Sequence, residues 1–342
     1  MEEETGVRRW LVDITRWRPS PAQFDAAAAL LPSHERPAIA RFVKEDDRKR
    51  ALVSRLLQYS LVHHVLRIPF HQINICRTPE GKPYLQKNCS NFPNFNFNIS
   101  HQGDYVGIAS EPLCLVGLDI VSISKPQGET TTEFISNFSS YLTDHEWNCI
   151  VRAGTPSEVL TEFYRYWCLK EAFVKAIGAG VGFGLHRLEF HHEHWTDISI
   201  HIDGEVSRKW RFWLSELDEV HLASIAKGHP EDAVSSYKKT LSNATVVEEQ
   251  LHSTLESPDG AFTLWTVEQL TQSLGNSLTE RGSFGLLFTI TEHDIRSTKV
   301  FAMAATPLSF YPAFLQTCSV MGLISIDVPC IEKRGITLVI EI

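Results

Sequence analysis

The sequence contains no CxxC pair, no apolar run near the roughly 18 residues of a membrane span, and neither common glycine-rich nucleotide signature. Its seven cysteines (Cys76, Cys89, Cys114, Cys149, Cys168, Cys318, Cys330) are odd in number and scattered, so they read as reduced thiols, neither a disulfide frame nor a zinc site. The opening MEEETGVRRWLVDITRW is acidic and has no apolar leader core; a cytoplasmic chain that needs no membrane is expected. A formal net charge of -9 argues against a nucleic-acid partner, so any anionic ligand must be met by a local pocket. GAGVGFG (178–184) follows a helical stretch and lacks both GxxxxGK[ST] and a strand before it, which makes it a helix C-cap and connection. In FHHEHW, the spacing of His191, His192 and His194 sends the side chains to opposite sides of a strand; an exposed turn is expected.

What is present is enough for a core. At 342 residues, 43% hydrophobic and 21% charged, the chain is long enough for two domains of ordinary size. Leu52, Leu56, Leu57, Leu61, Val65 and Leu66 have the spacing of a long amphipathic helix within the stretch from Glu35 to Ile68, stopped by Pro69. INICRTPEGKPYL reads as strand, turn, strand, and FNFNISHQGDYVGIASEPLCLVGLDIVSI as further strands. Two echoes recur at a shift of about 110 residues: LPSHE with LTDHE, and the stretch from Phe97 to Ser110 with that from Phe212 to Ala226. They suggest a duplicated α+β unit. From His229 to Gly260 the texture is polar and poorly periodic, as in a linker; beyond it FTLWTV reads as a strand, VEQLTQSLGNSL as a helix, and short apolar strands end in GITLVIEI.

Chemistry concentrates in WCLKEAFVKAIG (167–178). Glu171 and Lys175 share one helix face, beside the apolar stripe of Trp167, Phe173, Val174 and Ile177, while Lys170 points elsewhere. They are either an exposed ion pair, worth a few tenths of a kcal/mol, or a metal-ligating carboxylate with a phosphate-binding lysine. Asp119 is the only charge between Glu111 and Lys125, in a run that otherwise reads as a buried strand. It either caps a turn or pairs with arginine, or it is a hard oxygen ligand for Mg2+. Arg77 and Lys82 flank a Pro79–Gly81 turn where cations and N–H groups can converge on phosphate, and Asn98, Ser100 and His101 stand at a strand end.

Taken together, FNFNISHQGDY, VGLDI and FYRYWCLKEAFVKAIGAGVGFGL, in this order and separation over roughly residues 30–230, resemble the Sfp-type 4'-phosphopantetheinyl transferases, most closely the eukaryotic enzymes. The resemblance implies an α+β fold of two similar lobes, 1–122 and 123–228, each a helix packed on a small antiparallel sheet, with 229–342 as linker and C-terminal extension. It implies a Mg2+-dependent enzyme that moves the phosphopantetheine arm of coenzyme A onto a serine of acyl or peptidyl carrier protein domains, in polyketide synthases, non-ribosomal peptide synthetases or aminoadipate reductase, releasing adenosine 3',5'-bisphosphate. By the same resemblance, Asp119 and Glu171 hold the metal and Lys175 reaches the phosphates. Arg77, Thr78, Gly81, Lys82, Asn98, Ser100 and His101 are coenzyme A contacts. The serine proton goes to Glu171 or to a metal-bound hydroxide. Val121 stands where the bacterial members carry another carboxylate, and Ala38 where a basic contact is usual, with Arg36 or Arg41 as substitutes. The expected protein is a monomer, and Arg41, Lys44, Arg48, Lys49 and Arg50 are its candidate carrier-docking patch. A non-catalytic coenzyme A or carrier-binding module and a metal-dependent nucleotide hydrolase are the competing readings.

Overall fold

A computed structural model of the chain describes residues 6–86, 92, 94–241 and 248–279, with two further two-residue strands beyond them. The first half runs β1 (Arg8–Asp13), α1 (Pro21–Ala29), α2 (Arg36–Ala40), α3 (Glu45–Leu66), β2 (Ile75–Arg77), β3 (Pro83–Leu85), β4 (Asn96–Gln102) and β5 (Tyr105–Glu111). The second runs β6 (Leu115–Ser122), α4 (Thr131–Ser136), α5 (Asp144–Val151), α6 (Pro156–Ile177), β7 (Leu188–Glu193), β8 (Thr196–Ile202), β9 (Glu205–Ser207), β10 (Trp210–Glu216) and β11 (His221–Gly228). They are followed by α7 (Ser235–Lys238), α8 (Glu248–Glu256), β12 (Thr263–Leu264) and α9 (Val267–Thr279). Residues 1–275 form one compact unit. In the other, 276–342, the described part is an antiparallel pair, β13 (Phe288–Thr289) with β14 (Thr337–Leu338).

The architecture is α+β, and its two halves are alike. In the first, β5 lies between β1 and β4; in the second, β11 lies between β6 and β10, all antiparallel. Each half packs a 22-residue helix, α3 or α6, on its sheet. The longer sequence echo falls on corresponding hairpins, β4–β5 and β10–β11.

The helices end where local chemistry ends them. In α6, Thr155 and Glu158 form a capping box, Pro156 opens the first turn, and Gly178 closes the helix in the left-handed region at φ 74. The single long helix expected from Glu35 to Ile68 is divided. Lys44 is extended at φ -74, ψ 137, which separates α2 from α3, and Glu45, Asp46 and Asp47 then place negative charge on the new N-terminus. Left-handed Arg67 ends α3 just before Pro69.

The two sheets meet edge to edge at β4 and β6, and side chains replace the missing ladder. The Asn96 and Asn98 carbonyl oxygens and the Ser100 hydroxyl accept from the N–H groups of Val116, Leu118 and Ile120, at 3.0, 2.9 and 3.0 Å. Residues at alternate positions of β4 face one side, so three in register satisfy three donors of the β6 edge.

Part of the segment expected as linker and extension is packed core. Thr263 and Leu264 pair in parallel with Trp10 and Leu11, Trp265 packs on Trp10 with ring centroids 4.5 Å apart, and Leu270 and Leu274 are buried with the α3 residues. Asp259 receives the buried Arg9 guanidinium at 2.6 Å, opposite Glu111. Fully buried Tyr237, on α7, lies under Lys82 with its ring 5.0 Å from Nζ. Truncation after Gly228 removes all of these and leaves Arg9 with half its compensation. It should therefore cost at least about 3–5 kcal/mol, read as a lower urea midpoint. An unchanged midpoint would show that the segment is dispensable.

Candidate active site

Closeness of helix and strand builds the site. A Cβ on Gly117 would lie 1.9 Å from the Ala172 carbonyl oxygen and 2.6 Å from the Ala176 nitrogen, so only glycine lets α6 rest directly on β6. That approach brings Lys175 to Asp119, with Nζ 2.5 Å from Oδ1. Ser100 joins them: Lys175 donates to its hydroxyl at 3.0 Å, and the hydroxyl donates to Asp119 at 3.2 Å.

Glu171, one turn earlier on the same face, is half-buried and receives no hydrogen bond or ion pair among the described residues. Burial first, then the charge of Asp119, pushes its carboxyl above the usual glutamate range, against Lys175. Burial opposes the charge on Lys175, yet Asp119 and Glu171 together hold that ammonium above its usual value. Two carboxylates thus share one lysine. An all-oxygen acidic pair with one member unpartnered suits a hard divalent cation such as Mg2+.

Beside this group opens a cleft of about 440 Å3. Arg77, Gly81, Lys82, Asn98, Glu171 and Lys175 line it, opposite an apolar side that includes Tyr141, Trp167 and Phe183. Lys82 is 5% exposed, and its Nζ donates to the carbonyls of Val116 (2.8 Å) and Lys175 (2.7 Å). It has no carboxylate partner among the described residues. Burial and the nearby Lys175 charge push it well below the usual lysine value. Arg77 is open to solvent on one side, yet surrounding protein and the charges of Arg55 and Arg41 lower it too. Three basic side chains, Arg77, Lys82 and Lys175, thus meet two carboxylates, Glu80 and Glu171, around the cleft.

The remaining predicted residues divide. Asp119 and Ser100 sit behind the cleft wall, joined to it through Lys175. The Thr78 hydroxyl accepts from the Lys82 N–H at 3.3 Å and closes the hairpin turn, while Asn98 combines its stitch to β6 with a place on the wall. Exposed His101 lies at the end of β4, lowered by crowding protein and by Lys175 and Arg50. Arg36 donates to the carbonyls of Ala29 and Leu31, while the charge of Arg41 reaches Arg77. In the proposed basic patch, Lys49 and Arg50 are paired with Glu45, Asp46 and Asp47 on their own helix.

Some features escaped sequence reasoning. Lys170 is fully buried, ion-paired at 2.8 Å to Glu146 and bonded to the Leu185 and Leu188 carbonyls, which ties α6 to α5 and β7. Trp167, expected in the buried stripe, is partly exposed on the cleft wall. Tyr141 and Arg55 carried no local signal. The FHHEHW stretch is not simply an exposed turn: His191 and His192 belong to β7, and His192 stacks on Trp195 at 3.8 Å.

Comparison with known proteins gives this geometry its family. Residues 15–113 match the model of the 4'-phosphopantetheinyl transferase N-terminal domain, and residues 115–226 that of the 4'-phosphopantetheinyl transferase superfamily. The chain is 39% identical over 232 residues to the L-aminoadipate-semialdehyde dehydrogenase-phosphopantetheinyl transferase of Rattus norvegicus, covering 65% of this chain and 75% of that protein. The chain belongs to the 4'-phosphopantetheinyl transferases. A phosphopantetheinyl transferase of Thraustochytrium sp. is 36% identical over 229 residues, covering 65% of this chain and 79% of the relative. Among solved structures, a holo-ACP-synthase from Plasmodium yoelii aligns with a TM-score of 0.28 at 12% identity, over 34% of this chain and 94% of that one. In this transferase the basic hairpin and β4 lie in the first matched region, and Asp119, Glu171 and Lys175 in the second. No helix among the described residues is long and apolar enough to cross a membrane.

Proposed function

We propose that coenzyme A binds in the cleft as phosphopantetheine donor, at the junction of the two halves where β4 meets β6, and that the acceptor is the serine of an acyl or peptidyl carrier domain. The observation that carries this reading is Lys82, a buried cation held by two carbonyls beside Lys175 and facing a cleft that also takes Arg77. Such a group is costly unless an anion arrives, and a pyrophosphate is an anion of the right charge. Asp119 and Glu171 would hold Mg2+, which when bound supplies positive charge for the pyrophosphate.

The protein's own groups do the rest. The serine oxygen bonds to the phosphorus that carries the pantetheine arm, and the bond to the adenosine 3',5'-bisphosphate oxygen breaks. Lys82, Lys175 and Arg77 meet the charge of the phosphates, as transfer of this kind relies on positioning and charge stabilisation. Glu171 accepts the serine proton. It lies beside the cleft and has no competing donor among the described residues. By name, the rat relative is linked to L-aminoadipate-semialdehyde dehydrogenase, and a carrier domain of that class is the first acceptor to try.

Lys82→Met tests the reading. It should raise the KM for coenzyme A about 10- to 100-fold, with thermal stability unchanged or improved, because methionine fills the space without a buried charge. At alkaline pH, binding to the wild type should take up protons, since the polyanion restores the proton that burial drives off Lys82. Calorimetry in buffers of different ionisation enthalpy reads this uptake, and the variant should lose it. Equal KM and equal uptake in both proteins would remove Lys82 from the site.

A further inference from the structure

Away from the cleft, Glu189, His191 and His201 each offer one ligand atom, and these atoms lie within 4.8 Å of one another. Their placement follows from strand geometry. Glu189 and His191 are alternate residues on one face of β7, and His201 stands directly opposite Glu189 on β8. The Glu189 carboxylate lies 2.9 Å from His191 Nε2, and the His191 ring is sandwiched between those of His201 and His145, each centroid 4.3 Å away. All three prospective ligands are half-buried, so water and ions reach them.

We infer that Glu189, His191 and His201 form a second metal site, for a borderline divalent ion of the Zn2+ class. Two imidazole nitrogens and one carboxylate oxygen suit Zn2+, whereas the oxygen pair Asp119 and Glu171 suits Mg2+. Three protein ligands leave the fourth position to water. The ion cross-links β7 to β8, and β7 is already tied to α6 through Lys170. Its role is to brace the three-stranded sheet in which β8 lies between β7 and β9, separate from transfer chemistry.

The test is calorimetric titration of the full-length protein with Zn2+ in excess Mg2+, which occupies any hard oxygen site. One equivalent should bind to the wild type and to Asp119→Ala, and raise the melting temperature of both. His191→Ala and His201→Ala should bind at least about tenfold more weakly and lose the shift. Should either histidine variant misfold by circular dichroism, Glu189→Gln and His201→Gln are judged by the same criterion. Undiminished Zn2+ binding in the folded variants, or none by the wild type, overturns the site and leaves only a Glu189–His191 hydrogen-bonded pair.

Discussion

Glu171→Gln and Asp119→Ala should each lower the rate of phosphopantetheinyl transfer by about 10²–10³ or more, while moving stability in different directions. Asp119 is the nearest partner of Lys175, so its loss leaves the cation with the Ser100 hydroxyl and only the unbonded charge of Glu171. A cost of about 1–3 kcal/mol is expected, moderated because the Lys175 side chain keeps 31% exposure. Glu171 is the reverse case. Its pKa is raised in the folded protein, so the native state holds the proton more tightly than the unfolded state. Its contribution to stability is full below the ordinary glutamate value and is lost as pH rises through the raised one. Glu171→Gln should therefore match or exceed wild-type stability at neutral pH without added Mg2+, while the wild-type rate climbs with pH as the carboxyl gives up its proton and the variant's does not. Denaturant midpoints beside a pH–rate profile check both. Wild-type turnover in either variant would end the assignment.

Gly117→Ala is expected to be the most damaging change that adds only one methyl group. The new Cβ would meet the Ala172 carbonyl at 1.9 Å and the Ala176 Cβ at 2.8 Å. Both neighbours belong to the helix itself, so relief requires lifting α6 off β6. A loss of about 3 kcal/mol or more is expected, with activity lower even in the folded fraction, because lifting the helix separates Lys175 and Glu171 from Asp119. Thermal denaturation and specific activity per folded molecule measure the two effects. An unchanged melting temperature would mean that the contact is looser than these distances.

Much of the site could be read from the sequence because its residues break local rules. A lone aspartate in the apolar run LVGLDIVSI and a glutamate beside a buried helix stripe are costly placements, and the structure brings both to one lysine. The C-terminal limit of α6 was equally legible, since a left-handed glycine such as Gly178 acts within a few residues. Long-range pairings were not. Asn98 and Ser100 show polar side chains in a strand, but nothing local says that their partners are backbone N–H groups of β6. Helix spacing in KEAFVK turns Lys170 away from the Glu171 face, but only the position of Glu146 makes it structural. Asp259 reaches Arg9 across 250 positions, and although FTLWTV reads as a strand, nothing local says that its partner is β1. His201 completes the cluster at His191 through strand register, which a spacing rule for consecutive histidines does not include.

The central claim is that this chain transfers the phosphopantetheine arm of coenzyme A, and mass spectrometry tests it most directly. An apo carrier domain incubated with this protein, coenzyme A and Mg2+ should gain the mass of one phosphopantetheinyl group on its serine, with one adenosine 3',5'-bisphosphate released per carrier. A folded protein that binds coenzyme A but leaves the carrier mass unchanged, or that releases the bisphosphate without labelling the carrier, would contradict the account.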